Sequence, residues 1–386
     1  MNGAGRLGLA LSGGGFRAAA FHLGVLRALR RAGLLDRVEV VSVVSGGALL
    51  AAAWVAHGSL GFEVFEARLR AFLSRDLKRR VCLAALRPDR LARLLFDSAY
   101  SITEVLAAVV DRELLRGRTL GSLVGLKPRL VVNATCVNHG TGWRFTPERI
   151  GDWILKTTDR DTLARFPLAR AVAASAAFPG GLAPVVLRSA QLFPNSVEAP
   201  REILLTDGGV DDNLGVQALL AEECDTIVVS DASFPFERDE RPLDRFGLPL
   251  WRRLLVAGAL LALALWGASR FDLPAGVLAV TGVASVAVLL RLRFALWLFG
   301  GVMMRGQRRA LLRRLFAGAA SGRTLYVGLG SRLSPKTEAA LCDRGLDLQR
   351  LRRVRTDLAL SAAELDGLVA LGEALAAERL ITGLGD

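Results

Sequence analysis

Apolar and polar positions along the chain fall into blocks that switch between two periods. Leu7–Leu11 is a short uninterrupted apolar run, and Val38–Val44 is a second strand-like stretch, rich in valine. Such runs, bounded by glycine or charged residues, predict strands buried on both faces. Helical periodicity follows each one, from about Ala19 to Arg31 and from Gly46 to Ala56. This alternation predicts an α/β fold in three layers, α/β/α, with a mostly parallel central sheet. Leu130–Ala134, Ile203–Thr206, Thr226–Ser230 and Thr324–Val327 are further short apolar strands whose intervals fit the same sheet.

Two stretches depart from this pattern. Phe62–Asp111 is helical throughout and rich in arginine, with Phe65, Leu69, Phe72, Leu73 and Leu77 at helical spacing. It reads as a cap of helices with a solvated basic face, or as a lid that rests on anionic lipid head groups. Leu254–Ala268 and Leu273–Leu290 are uncharged runs of fifteen and eighteen residues, joined by Ser269-Arg270-Phe271-Asp272. As helices they reach about 22 and 27 Å, somewhat short of a hydrocarbon core of roughly 30 Å. A third apolar stretch, Phe294–Met304, is too short to cross alone. Arg252 and Arg253 precede the first run, and Arg291, Arg293, Arg305, Arg308 and Arg309 follow the later ones. This asymmetry predicts a membrane-embedded helical hairpin, spanning or re-entrant, with both ends cytoplasmic. Because Thr324–Val327 lies beyond it, the hairpin is expected to interrupt one domain. The expected division is 1–237 for the first part of the catalytic domain, 238–320 for the insertion and 321–386 for its completion.

With 386 residues the chain can bury a large core, and 52% of it is hydrophobic. The net charge of +13 calls for an anionic partner. The membrane-length apolar runs favour a membrane surface over nucleic acid. Cys82, Cys136, Cys224 and Cys342 are scattered without paired spacing, which reads as free thiols in a reducing compartment and not as a zinc site. No secretory leader is visible, so the catalytic part is expected in the cytoplasm, at the cell inner membrane.

Ser12-Gly13-Gly14-Gly15-Phe16-Arg17 lies between the first strand and its helix. Side-chain-free residues let successive N–H groups converge on one point, and the helix dipole adds positive potential there. The loop can hold a phosphate or the oxyanion that develops on an ester carbonyl. Gly13, Gly15 and Ala18 also satisfy G-x-G-x-x-A, but the second strand ends in Val43-Val44-Ser45 where a dinucleotide site places an acidic residue. Ser45, between a valine strand and a helix, is either an N-cap or a nucleophile presented on a sharp turn. Asp207-Gly208-Gly209 after Ile203–Thr206 is either a common tight turn or a carboxylate base brought to the same sheet edge. His22, His57 and His139 are out of order for a Ser–Asp–His triad and read as structural.

Taken together these blocks resemble the patatin-like phospholipases. The resemblance covers Leu7–Ser233 and resumes over Thr324–Leu380. It rests on Gly13-Gly14-Gly15-Phe16-Arg17, Gly24-Val25-Leu26, Val44-Ser45-Gly46-Gly47, Ala173-Ala174-Ser175-Ala176-Ala177-Phe178-Pro179 and Asp207-Gly208-Gly209-Val210-Asp211-Asp212-Asn213. It implies hydrolysis of membrane phospholipid or another acyl-ester lipid without a cofactor or metal. Ser45 would be the nucleophile and Asp207 the general base. Gly13, Gly14 and Gly15 would form the oxyanion hole, and Arg17 would support it or bind the lipid phosphate. Where the family usually has glycine two residues before the serine, this chain has Val43, which implies an elbow built differently or a low turnover. The same site could serve an acyltransferase, or persist in a silent lipid-binding or scaffolding protein.

Overall fold

The computed structural model describes residues 5–179, 181–194, 199–233 and 323–383. Among them, ten strands form one sheet: β1 (Leu7–Leu11), β2 (Val38–Val43), β3 (Arg129–Cys136), β4 (Thr141–Phe145), β5 (Ile150–Gly151), β6 (Lys156–Thr157), β7 (Val185–Arg188), β8 (Glu202–Asp207), β9 (Thr226–Asp231) and β10 (Arg323–Gly328). The order is β10-β9-β1-β2-β3-β4-β5-β6, and the five strands from β10 to β3 are parallel. From β3 onward the pairing turns antiparallel through β4, β5 and β6.

The helices before β8 are α1 (Gly15–Arg31), α2 (Gly46–His57), α3 (Phe62–Leu73), α4 (Leu77–Ala85), α5 (Pro88–Phe96), α6 (Ile102–Val110), α7 (Arg160–Arg165), α8 (Leu168–Ser175) and α9 (Ser189–Leu192). After it come α10 (Gly209–Asp212), α11 (Val216–Ala221), α12 (Pro335–Asp343), α13 (Leu348–Arg352) and α14 (Ala362–Gly383). Side chains alternate across the sheet, as the two-residue strand period requires. Leu9, Leu11, Val41, Val43 and Val132 enter a large core with α1, α2 and α14, while Ala10, Val40 and Val131 enter a smaller one with α11. Helices therefore cover both faces, as an α/β fold demands. Between α1 and α14 the backbones nearly touch. A Cβ on Gly24 would stand 2.0 Å from the Val369 carbonyl oxygen, and one on Gly372 would stand 2.2 Å from that of Phe21.

Several expectations change. α1 begins at Gly15, earlier than the apolar period indicates, because the glycines themselves start the helix. The hairpin partner β4 and the short β5 and β6 are not legible as strands in the sequence pattern. β8 joins the sheet as expected, but antiparallel to β3, and Asp207 is its last residue. The apolar runs Leu254–Ala268, Leu273–Leu290 and Phe294–Met304, and the expected 238–320 insertion, lie outside the described residues. Among the described residues no helix is long and apolar enough to cross a membrane.

Candidate active site

The site forms where β2 and β8 meet along one edge of β3. β2 occupies that edge as far as the pair Val43–Val132, and β8 takes it over from the pair Asp207–Ala134. The other edge carries β4, which pairs with both Val132 and Ala134. β2 ends, the chain turns sharply through Ser45, and β8 arrives from the opposite direction. Their ends place Ser45 and Asp207 face to face.

Ser45 stands at φ +50°, in the region that side-chain-bearing residues avoid. The turn is held from several sides. The Val44 N–H donates to the Leu11 carbonyl at 3.1 Å, and the Ser45 N–H donates to the Ser175 hydroxyl at 2.9 Å. Ser175 in turn donates to the Asn133 carbonyl at 2.6 Å. The Asn133 amide nitrogen reaches back to the Val43 carbonyl at 3.0 Å and to the Ser42 hydroxyl at 2.9 Å. Val43 itself is buried in the larger core. The close approaches behind the elbow fall on Gly46 and Gly47, whose Cβ atoms would stand 2.0 Å from the Gly15 carbonyl oxygen and 2.5 Å from that of Leu11.

Asp207 is 3% exposed; its carboxylate accepts a hydrogen bond from the Gly209 N–H at 2.7 Å, with the Ser45 hydroxyl close by as the second donor favouring its charged form. Burial penalises the charged form and pushes its pKa up to about 7, against the pull of those two donors. Its backbone is fixed as well. The N–H donates to the Ala177 carbonyl at 3.0 Å, and the carbonyl accepts from the Thr135 hydroxyl at 2.9 Å. One short segment, Ser175–Ala177, thus holds the backbones of both residues. Ser175 belongs to a block read from the sequence without a role; its partners are too distant along the chain for local pattern to reveal.

The glycine loop lies beside Ser45: a Cβ on Gly13 would sit 3.4 Å from that of Ser45. Of the three expected donors, the Gly13 N–H is committed to the Asn213 carbonyl at 3.1 Å. The N–H groups of Gly14 and Gly15 have no partner among the described residues, and these residues adopt φ +145° and +61°. The expected trio is narrowed to two. Ser45 and Gly14 are half-buried while their surroundings are buried, so solvent reaches the site along this line.

Arg17 does not take the role expected of it. It is fully buried, and its guanidinium donates to the carbonyls of Val354 and Ala232, each at 2.8 Å. Burial lowers its pKa to about 10, with the Asp231 charge opposing the shift. It pins α1 to the segments after β9 and α13 and presents no charge to a substrate. Asp212 of the same block is structural too. Asp212 accepts from the N–H groups of Leu214, Gly215 and Gln217.

The histidines hydrogen-bond elsewhere. His22 is buried between the Ser230 hydroxyl and the Ser12 carbonyl, and burial pushes its pKa down to about 4. His57 contacts the Leu114 carbonyl. His139 contacts Asp152 at 2.6 Å, and with Cys136 these two have ligand atoms within 4.8 Å of one another, a grouping that the scattered cysteines did not announce. Asp152 there also accepts from the N–H groups of Ile154 and Leu155, so its carboxylate ties the β5–β6 turn to His139 in the β3–β4 turn.

One edge of an α/β sheet thus gathers a strained serine, a buried carboxylate and a glycine loop. The chain belongs to the patatin-like phospholipase family, whose model matches residues 9–220. No curated protein sequence matches it. Among solved structures it is similar to human GIVD cytosolic phospholipase A2, with 13% identity, 99% of this chain and 60% of that one covered, and a TM-score of 0.53. The same human enzyme in complex with methyl gamma-linolenyl fluorophosphonate and terbium chloride matches with 15% identity, 99% and 59% coverage, and a TM-score of 0.52. The chain thus spans about three fifths of the length of those structures, and at such identities the likeness is one of fold.

Proposed function

We propose that the chain is a membrane-associated serine lipid acyl hydrolase, a phospholipase or esterase, working through a Ser45–Asp207 dyad. The observation that carries this reading is the buried Asp207 carboxylate, raised to about 7 and set beside the Ser45 hydroxyl. A carboxylate in that range is a competent base at neutral pH, whereas an ordinary aspartate is too weak. Asp207 takes the Ser45 proton as the oxygen attacks the ester carbonyl, and the oxyanion develops towards the Gly14 and Gly15 amides. Collapse expels the alcohol, which recovers the proton from Asp207 and leaves an acyl-serine. Asp207 then deprotonates water, which releases the fatty acid and restores the hydroxyl. An alcohol in place of that water would make the same site an acyltransferase, and product analysis distinguishes the two.

The test is covalent. A fluorophosphonate, the inhibitor class of the similar human enzyme, should label wild-type protein but not Ser45→Ala. Ser45→Ala and Asp207→Asn should each abolish ester hydrolysis while circular dichroism stays unchanged. A fully active Ser45→Ala protein would remove the proposal.

Membrane association, with the catalytic part on the cytoplasmic face of the inner membrane, rests on the apolar runs and their flanking arginines. The pairing of β9 with β10 on either side of the 238–320 segment supports an insertion within one catalytic domain. Deleting 252–305 should release the protein from liposomes in a flotation assay. An intact chain that stays soluble without detergent would refute the anchor.

A further inference from the structure

Helix α5 leaves apolar side chains in water. In a surface helix the apolar stripe faces the core and the charges face water. Here Leu91, Leu95 and Phe96 are exposed, Leu95 and Phe96 by 69% and 88%, and no residue of the helix is buried. The charged residues Asp89, Arg90 and Arg93 instead line a cleft of 640 Å³ shared with α6 and α8. Only Leu94 packs against the core. On the neighbouring α4 and just after it, Leu83 and Leu86 are exposed by 57% and 67%. Five large apolar side chains within fourteen residues thus face outward, a concentration that calls for an apolar partner.

The charges decide which partner. From Leu77 to Phe96 the chain carries Lys78, Arg79, Arg80, Arg87, Arg90 and Arg93 against Asp89. Arg80 turns inward to Glu113, and Lys78, Arg87 and Arg93 pair at the surface with Asp357, Asp89 and Asp97, which leaves a small cationic excess around the leucines. A surface combining exposed leucine and phenylalanine with an arginine rim matches the boundary between acyl chains and anionic head groups. A second copy of the chain would bring like charges together. The chain's own Leu254–Met304 stretch is bracketed by arginines and complements the patch no better.

We infer that the α4–α5 pair is a docking surface for bilayers rich in anionic phospholipid, with Leu83, Leu86, Leu91, Leu95 and Phe96 entering the acyl boundary. This goes beyond the Ser45–Asp207 reading, and only the activity arm of its test depends on that reading.

The binding arm uses the full chain with Phe96→Cys in a Cys82→Ser, Cys342→Ser background, carrying an environment-sensitive dye at position 96. The same background without Phe96→Cys gives the labelling blank. The protein is added to, or reconstituted into, phosphatidylcholine vesicles with and without phosphatidylglycerol. Emission should rise several-fold and shift to the blue only with phosphatidylglycerol, and high salt should reverse the change. An unchanged spectrum with both vesicles overturns the inference. So does emission already shifted without vesicles, or shifted equally in both, since the patch would then be covered by protein or insert regardless of charge.

In the activity arm, the double variant Leu95→Asp, Phe96→Asp should hydrolyse vesicle phospholipid about tenfold or more slowly. Its hydrolysis of a water-soluble ester and its thermal midpoint should stay at wild-type values. An equal fall on both substrates overturns the docking role. Failure of the wild type to cleave the soluble ester would count against the hydrolase reading, while the dye still decides the docking.

Discussion

Ser45 and Asp207 face each other because β2 and β8 run head to head along one edge of β3, with the pairs Val43–Val132 and Asp207–Ala134 as the last rung of each ladder. The dyad is therefore positioned by hydrogen-bonded backbone on both sides, and neither residue relies on a flexible loop. This geometry leads to four expectations besides the tests already given.

The first concerns pH. Asp207 acts as a base only when ionised, and burial holds its pKa at about 7. The kcat/KM for a soluble ester should climb as pH rises through about 7 and level off above it. A profile flat from pH 5 to 9 would contradict the assignment of the base.

The same burial predicts a trade between activity and stability. The folded carboxyl titrates near 7 and the unfolded one near 3.8, so its contribution to stability is complete below 3.8 and disappears as pH rises through 7. Asp207→Asn removes a charge that the fold accommodates poorly. The Asp207→Asn variant should be more stable than wild type at pH 8, because it has no carboxylate to ionise in that buried place. Thermal or urea unfolding at pH 5 and pH 8 measures this; the gain should shrink at the lower pH.

Ser175→Ala should act on Ser45 without touching substrate. It strands the Ser45 N–H and the Asn133 carbonyl, at about 1–3 kcal/mol for an unsatisfied buried group. The expected result is a fall in kcat of about tenfold to a hundredfold with little change in KM. Fluorophosphonate labelling should slow in parallel. An unaltered labelling rate would show that the strained turn holds without this hydroxyl.

Arg17→Met tests whether the guanidinium is a pin or a phosphate ligand. It leaves the Val354 and Ala232 carbonyls without a charged donor, and charge-assisted bonds of this kind contribute about 1.5–3 kcal/mol each. The variant should unfold at lower temperature, and residual activity should fall equally on phospholipid and on a neutral ester. A selective rise in KM for phospholipid would restore the substrate-binding role.

What the sequence discloses here is local. The turns at Gly13–Gly15 and at Ser45 follow from a strand, a small-residue junction and a helix within some twenty residues, and both stand where pattern puts them. The antiparallel arrival of β8 does not follow from Ile203–Thr206, because an apolar run of four carries no direction. Direction depends on which edge of β3 remains free after β4 has paired. The strand β4 escaped notice because Thr141-Gly142-Trp143-Arg144-Phe145 opens on a turn-like residue pair. Arg17 was misplaced for a related reason. Its position beside the glycines is evident, but whether its side chain points to the mouth or into the body depends on Val354, which lies 337 positions away. The expected donor trio failed at Gly13 because the carbonyl that occupies its N–H comes from Asn213.

The Phe16 N–H donates to the carbonyl of Asp357 at 2.9 Å, and a Cβ on Gly15 would stand 2.6 Å from that same oxygen. The glycine loop beside Ser45 is therefore finished by a segment far downstream in the chain. During synthesis a ribosome delivers Ser45 long before Asp357, so the packing of this loop is completed only once that distant segment has arrived.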